Sequence, residues 1–176
     1  MTRIMLLSCL TGMMATAGQA LPDVSLASTR WKCTAGASVE AGVAQLTGRP
    51  DGYTRVTMTL PGALLADKTF DVSAQVKTHA IQPGQDLVYA SPKLKMIHSP
   101  SRKVLAVNNF GHKEHGEWTP VHLQITFSQA LRGPVELELG LQFCSGTLEV
   151  SNVAITETEP WRWRVLDAGH KSYFDK

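Results

Sequence analysis

Along several stretches of this sequence every second residue is polar, and the polar types recur in sets. Tyr53, Arg55 and Thr57 fall on one side of such a stretch, as do Ser73, Gln75 and Lys77, then His122 and Gln124, then Glu136, Glu138 and Gln142. A ring face can lie against an apolar C–H surface while amides, carboxylates and a guanidinium bond the hydroxyl groups around it. That chemistry is capture of a polyhydroxylated ligand, and it needs no reactive group. Trp31 and Tyr89 are the further aromatic candidates. The alternative is a solvated sheet face with no ligand; if these faces do bind, the expected set is Trp31, Tyr53, Arg55, Gln75, Lys77, Tyr89, His122, Gln124 and Gln142.

Signatures of catalysis are missing from the sequence. It holds no nucleophile elbow, no glycine-rich phosphate loop and no H-E-x-x-H. Glu136 and Glu138 could meet the roughly 5 Å spacing of a glycosidase pair, but nothing around them marks either as a protonated acid. The loop from Phe110 to Glu117 carries His112, Glu114, His115 and Glu117. Its H-x-x-H spacing lies between glycines rather than on a helix face, and Lys113 is a poor neighbour for a cation. We expect neither an enzyme nor a metal centre there. Between Asp86 and Glu114 no acid interrupts Lys93, Lys95, Arg102, Lys103 and Lys113. Such a stretch is either a solvated edge that discourages sheet aggregation or a patch for an anionic polymer, for instance a uronate-containing polysaccharide.

The elements that must position these groups are strands. Phe70, Val72, Ala74 and Val76 alternate with polar residues, as do Val121, Leu123, Ile125 and Phe127, and Val135, Leu137, Leu139, Leu141 and Phe143. Period-two runs of this kind build antiparallel sheets with one face on a core. Weaker strands are expected at Trp31–Thr34, Val39–Leu46, Tyr53–Leu60, Leu87–Ile97, Val104–Phe110 and Gly146–Thr156. In the last of these the apolar phase shifts between Val150 and Val153, which predicts a bulge near Asn152. Turn signals such as Pro61-Gly62, Pro83-Gly84 and Gly133-Pro134 separate the runs. About nine strands at this spacing predict an all-β, two-sheet antiparallel sandwich of jelly-roll type.

Residues 1–20 read as a secretory signal peptide: Arg3, an apolar stretch, then Gly18-Gln19-Ala20 as a small-x-small cleavage site. A lipobox at Leu6-Leu7-Ser8-Cys9 is the rival reading, and Leu7 is an unusual residue for it. Export to the periplasm or exterior follows from either. The full chain carries 17 basic and 15 acidic residues, and the signal removes only Arg3. So balanced a chain has no field for nucleic acid or a membrane surface, and no segment reads as membrane-spanning. Its remaining length suits one core: a domain over 21–158 and a tail over 159–176. Cys33 and Cys144 remain after cleavage, and an even pair in an exported chain reads as a disulfide, with two buried free thiols as the alternative.

A resemblance sharpens this. The run from Leu65 to Lys77, the pairing of Gly116-Glu117-Trp118 with Val121–Phe127, and the closing Gly146–Ile155 resemble strands of the jelly-roll carbohydrate-binding modules attached to bacterial cellulases and xylanases, in the galactose-binding-like group. Trp31 stands where such modules often carry a tryptophan. The resemblance implies a secreted, non-catalytic glycan-binding protein of the bacterial envelope. It also implies a structural calcium ion near the chain ends, but Asn152 replaces the usual aspartate and offers only a neutral carbonyl. In the tail, Trp161, Trp163 and Val165 would present one apolar face opposite Arg162 and Arg164. That is either a last strand or a docking strand for a protein partner through residues 160–176. The alternative function is accordingly an envelope interaction protein that uses the jelly roll as a scaffold.

Overall fold

The computed structural model describes residues 20–84, 89–111 and 115–159. The expectations for the signal peptide, for His112–Glu114 and for the Trp161–Leu166 tail lie outside these residues. Ten strands follow in chain order: β1 (Lys32–Cys33), β2 (Ala37–Glu40), β3 (Val43–Thr47), β4 (Tyr53–Leu60), β5 (Thr69–Pro83), β6 (Ser91–His98), β7 (Lys103–Asn109), β8 (His115–Thr126), β9 (Val135–Gln142) and β10 (Cys144–Thr158). A first sheet has the order β1-β4-β9-β6-β7 and a second the order β2-β3-β10-β5-β8. All pairings are antiparallel. The chain crosses between sheets at nearly every connection after β3, which makes the sandwich a jelly roll rather than two stacked meanders.

The alternation in the sequence is what closes the sandwich. From the first sheet Val56, Met58, Leu60, Leu94, Met96, Leu137, Leu139 and Leu141 point inward, and Phe70, Val72, Val76, Leu148 and Val150 meet them from the second. Each fully buried leucine stabilises the fold by roughly 1.5–3 kcal/mol. Phe70 and Phe127 pack edge to face with centroids 6.0 Å apart. The central strands β9 and β10 each have neighbours on both sides, so side chains on their outer faces stand on the best-held backbone in the molecule.

Three sequence readings need correction. Val39–Leu46 is not one strand: Ala41 and Gly42, at φ 48° and 79°, form a two-residue turn that folds it into the β2–β3 hairpin. Both positions are left-handed, as a type I′ turn requires, and Ala41 supplies none of the usual Asn or Asp signal. The strand expected from Leu87 begins at Ser91. Most importantly, Cys33 and Cys144 are free thiols. Cys33 is exposed in edge strand β1 of one sheet, while Cys144 opens β10 of the other and is fully buried. One side chain faces solvent and the other the core, so no bond joins them. The bulge, by contrast, falls where the phase shift predicts: β10 slips register between Ser151 and Ala154, with Asn152 at φ 50°.

Candidate functional site

The outer face of the first sheet is a grid of three adjacent strands. Across β4, β9 and β6 its rows read Tyr53–Gln142–Ser91, Arg55–Gly140–Lys93, Thr57–Glu138–Lys95 and Thr59–Glu136–Ile97. Strand β7 extends two rows with Asn109 beside Lys93 and Val107 beside Lys95. Although this face points away from the core, Glu138 has no exposed surface and Lys93 and Lys95 are only 4% and 8% exposed. The long side chains of this face cover one another, so its polar groups are largely screened from solvent.

Glu138 organises this face. The Tyr53 hydroxyl donates to its Oε1 at 2.5 Å, and Lys95 Nζ stands 3.4 Å from the same oxygen. Arg55 Nε lies 3.3 Å from Oε2, which accepts no hydrogen bond among the described residues and relies on the guanidinium charge. Lys95 also donates to Gln142 Oε1 at 3.0 Å. Its ammonium is 4.5 Å from the Tyr53 ring centroid, and the Arg55 guanidinium is 5.1 Å away. Two cations, one ring and one carboxylate thus hold each other in place.

Gly140 makes the arrangement sterically feasible. Tyr53 stands opposite Gln142, yet its hydroxyl meets Glu138 one row-pair further along, so the ring must lie on β9 over position 140. A Cβ there would come within 2.6 Å of Tyr53 Cε2, 2.7 Å of the Thr54 carbonyl oxygen and 2.9 Å of Arg55 Cβ. The missing side chain is the space the ring occupies.

The electrostatics follow from burial. Desolvation, then the Glu138 carboxylate, raises the Tyr53 phenol far above its usual value. Desolvation also lowers Lys95, against the pull of Glu138, and lowers Lys93, with Lys95 adding repulsion. Burial works to raise Glu136, but hydrogen bonds from Arg102 and Ser99 outweigh it and hold the carboxyl below its usual range.

The expected binding set divides between the two sides of the sandwich. Tyr53, Arg55 and Gln142 stand together in the first sheet, and Tyr89, 70% exposed, has Lys93 Nζ 5.7 Å from its ring centroid. Gln75, Lys77, His122 and Gln124 occupy the outer face of the second sheet, across the whole core. There Lys77 lies over the ring of half-exposed Trp118 and lines a cavity of about 260 Å³, and His122 Nδ1 is 3.3 Å from Asp71. They cannot share one groove with Tyr53. Trp31 stands apart from both faces: it packs against the core at 8% exposure, its Nε1 donates to the Ser25 carbonyl, and it lines a cavity with Leu26, Ser28 and Cys33.

Sequence reading set Glu138 on an outward face with Gln142 but missed that it lies with Lys93, Lys95 and Gly140 beside Tyr53. Their signal is the same parity that marks Tyr53: Lys93 and Lys95 alternate with core residues Leu94 and Met96, and Glu138 and Gly140 with Leu137, Leu139 and Leu141. As a hydrolytic pair Glu136 and Glu138 fail, since one is ion-paired to Arg102 and the other is sealed beneath Tyr53. Among the described residues no group of three or more His, Cys, Asp or Glu could hold a metal ion, and no helix is long and apolar enough to cross a membrane. The outer face of the first sheet offers fixed hydrogen-bond donors, positive charge and aromatic surface, and both its carboxylates, Glu136 and Glu138, are engaged by cations.

No family model and no curated relative matches the chain by sequence. Solved structures do match its shape. A CBM4 carbohydrate-binding module aligns at TM-score 0.56 and 14% identity, over 73% of this chain and 78% of that one. A cyclase from Fischerella sp. TAU, in complex with 4-(1H-indol-3-yl)butan-2-one, aligns at 0.51 and 11%, over 71% and 70%. A Stig cyclase from the same source aligns at 0.50 and 12%, over 66% of this chain and 62% of its own. At such identities the likeness is one of fold, and the chain is a jelly-roll sandwich of the architecture on which carbohydrate-binding modules are built.

Proposed function

We propose that the protein binds a poly- or oligosaccharide without transforming it, along the outer face of the first sheet and Tyr89. The observation that carries this reading is the pre-set cluster of Tyr53, Arg55, Lys95 and Gln142, tied to buried Glu138 on three neighbouring strands. Sugar hydroxyls need donors whose geometry is fixed before the ligand arrives, because each side chain ordered on binding costs roughly 0.5–1.5 kcal/mol. These donors are already ordered by one another. The CBM4 module of the same fold supports a glycan as the ligand class. Action in the bacterial envelope or exterior fits the signal-like first twenty residues.

The cyclases of the same fold raise a catalytic alternative. It fares worse, because Glu138 has no exposed surface and no substrate atom can reach its oxygens. Affinity electrophoresis against a polysaccharide panel tests the reading, with Arg55→Ala on the first sheet and Gln124→Ala on the second. Retention lost in Arg55→Ala and kept in Gln124→Ala is the expected result. The reverse pattern moves the site to the other face, and no retention on any glycan sinks the proposal.

A further inference from the structure

The charges on this face do not balance. Glu136 is taken by Arg102 and Ser99. Glu138 is shared between Arg55 and Lys95. Lys93 has no carboxylate within ion-pair distance among the described residues; the Tyr89 ring stands beside its ammonium, and Glu138 and Lys95 act on it from further away. Its strand neighbours offer no acid either: β9 presents Gly140 and β7 presents Asn109. Three cations therefore surround one carboxylate, and that carboxylate lies enclosed where a ligand cannot touch it. What a ligand meets first is the Arg55 guanidinium, a third exposed, with only small exposed parts of Lys93 and Lys95.

Nearly buried ammonium groups without a counter-charge are costly unless something supplies one. A carboxylate from outside would accept charge-assisted hydrogen bonds from Lys93, relieve its repulsion with Lys95, and leave Tyr53 and Tyr89 to stack on the sugar carrying it. Resting on the glycan reading above, we propose that the ligand is an acidic polysaccharide whose uronate carboxylate docks at Lys93, between Tyr89 and Lys95. Among the described residues of the basic stretch, Lys93, Lys95, Arg102 and Lys103 do not act as one patch. Arg102 is spent on Glu136 and Lys103 points to solvent at the sheet edge, so the reading of charge narrows to Lys93 and Lys95.

The test uses the full chain in affinity electrophoresis against uronate-containing polysaccharides, each run beside its carboxyl-reduced, neutral counterpart. Expected is retention by at least one acidic form about tenfold stronger than by its reduced partner, the weight of one good contact. Lys93→Gln, checked for an unchanged melting temperature, should bring the acidic form down to the level of the reduced one. Equal retention of acidic and reduced forms overturns this inference and leaves the glycan reading standing. So does a folded Lys93→Gln protein that keeps its preference. Retention of neither form by any polymer overturns both together.

Discussion

Tyr53 joins the proposed binding face to the stability of the molecule through one hydroxyl. Its bond to buried Glu138 has a charged acceptor, the class worth roughly 1.5–3 kcal/mol, so Tyr53→Phe should cost about 2 kcal/mol near neutral pH. The pH dependence is more telling. Lys93 and Lys95 have folded values below 10.5, so the unfolded chain holds more protons in that window and stability climbs as pH rises toward 10.5. Tyr53 acts in the opposite sense: raised far above 10 by burial and Glu138, it contributes stability that is whole below pH 10 and drains away above it. Wild type should therefore lose stability above pH 10, while Tyr53→Phe loses less or still gains, and tyrosinate absorbance of wild type should show a step that coincides with unfolding. Urea melts run across alkaline pH decide it, and parallel curves for the two proteins would sink the idea. At this scale parity made Tyr53, Arg55 and Gln142 legible in the sequence. Trp31 was not legible, because a tryptophan beside a short edge strand reads alike whether its ring turns outward or, as here, toward the Ser25 carbonyl in the core.

Strand β9 shows how an element serves the site through an absence. Its inward leucines anchor it, its outward Glu138 and Gln142 hold Tyr53 and Lys95, and between them Gly140 leaves room for the ring. Gly140→Ala would force a methyl against the Thr54 carbonyl, rigid backbone that cannot step aside, and overpacking of this kind costs typically about 1–3 kcal/mol. Gly116 in β8 is the control: a Cβ there meets nothing within 4 Å, so Gly116→Ala should be neutral. Denaturant midpoints for the two variants that agree would show that Gly140 is ordinary strand glycine. The alternation Leu137-Glu138-Leu139-Gly140-Leu141 announces which side of β9 is outward. It cannot say which strands lie beside it, because β4 and β6 are separated from it by more than thirty residues and pairing over such distances leaves no local trace. That is why the sets on β4 and β9 and the sets on β5 and β8 looked like one groove. Each face was readable, while the sheet to which it belonged was not.

For the whole molecule the question is what holds the two sheets together when no disulfide ties them. Export and an even cysteine count argued for a bond, but those are statements about redox environment, and a bond also needs the two side chains to meet. Here they belong to different sheets and face different surroundings. The continuous core, from Leu46 and Val150 on one side to Val56 and Leu139 on the other, carries the cohesion. Two outcomes follow for a chain lacking Cys9. Reductant should leave the melting temperature unchanged, where loss of a native disulfide would lower stability by about 2–5 kcal/mol. A thiol reagent should label Cys33 in the native state, while Cys144, buried and pushed up to about 11 by desolvation, reacts only on unfolding. One fast thiol and one that appears with the unfolding transition, counted by mass, is the expected pattern. Two protected cysteines released only by reductant would mean that the sheets are tied after all. β1 would then have to leave its register with Val56, and β4, which carries Tyr53 and Arg55 of the proposed binding face, would lose its outer neighbour.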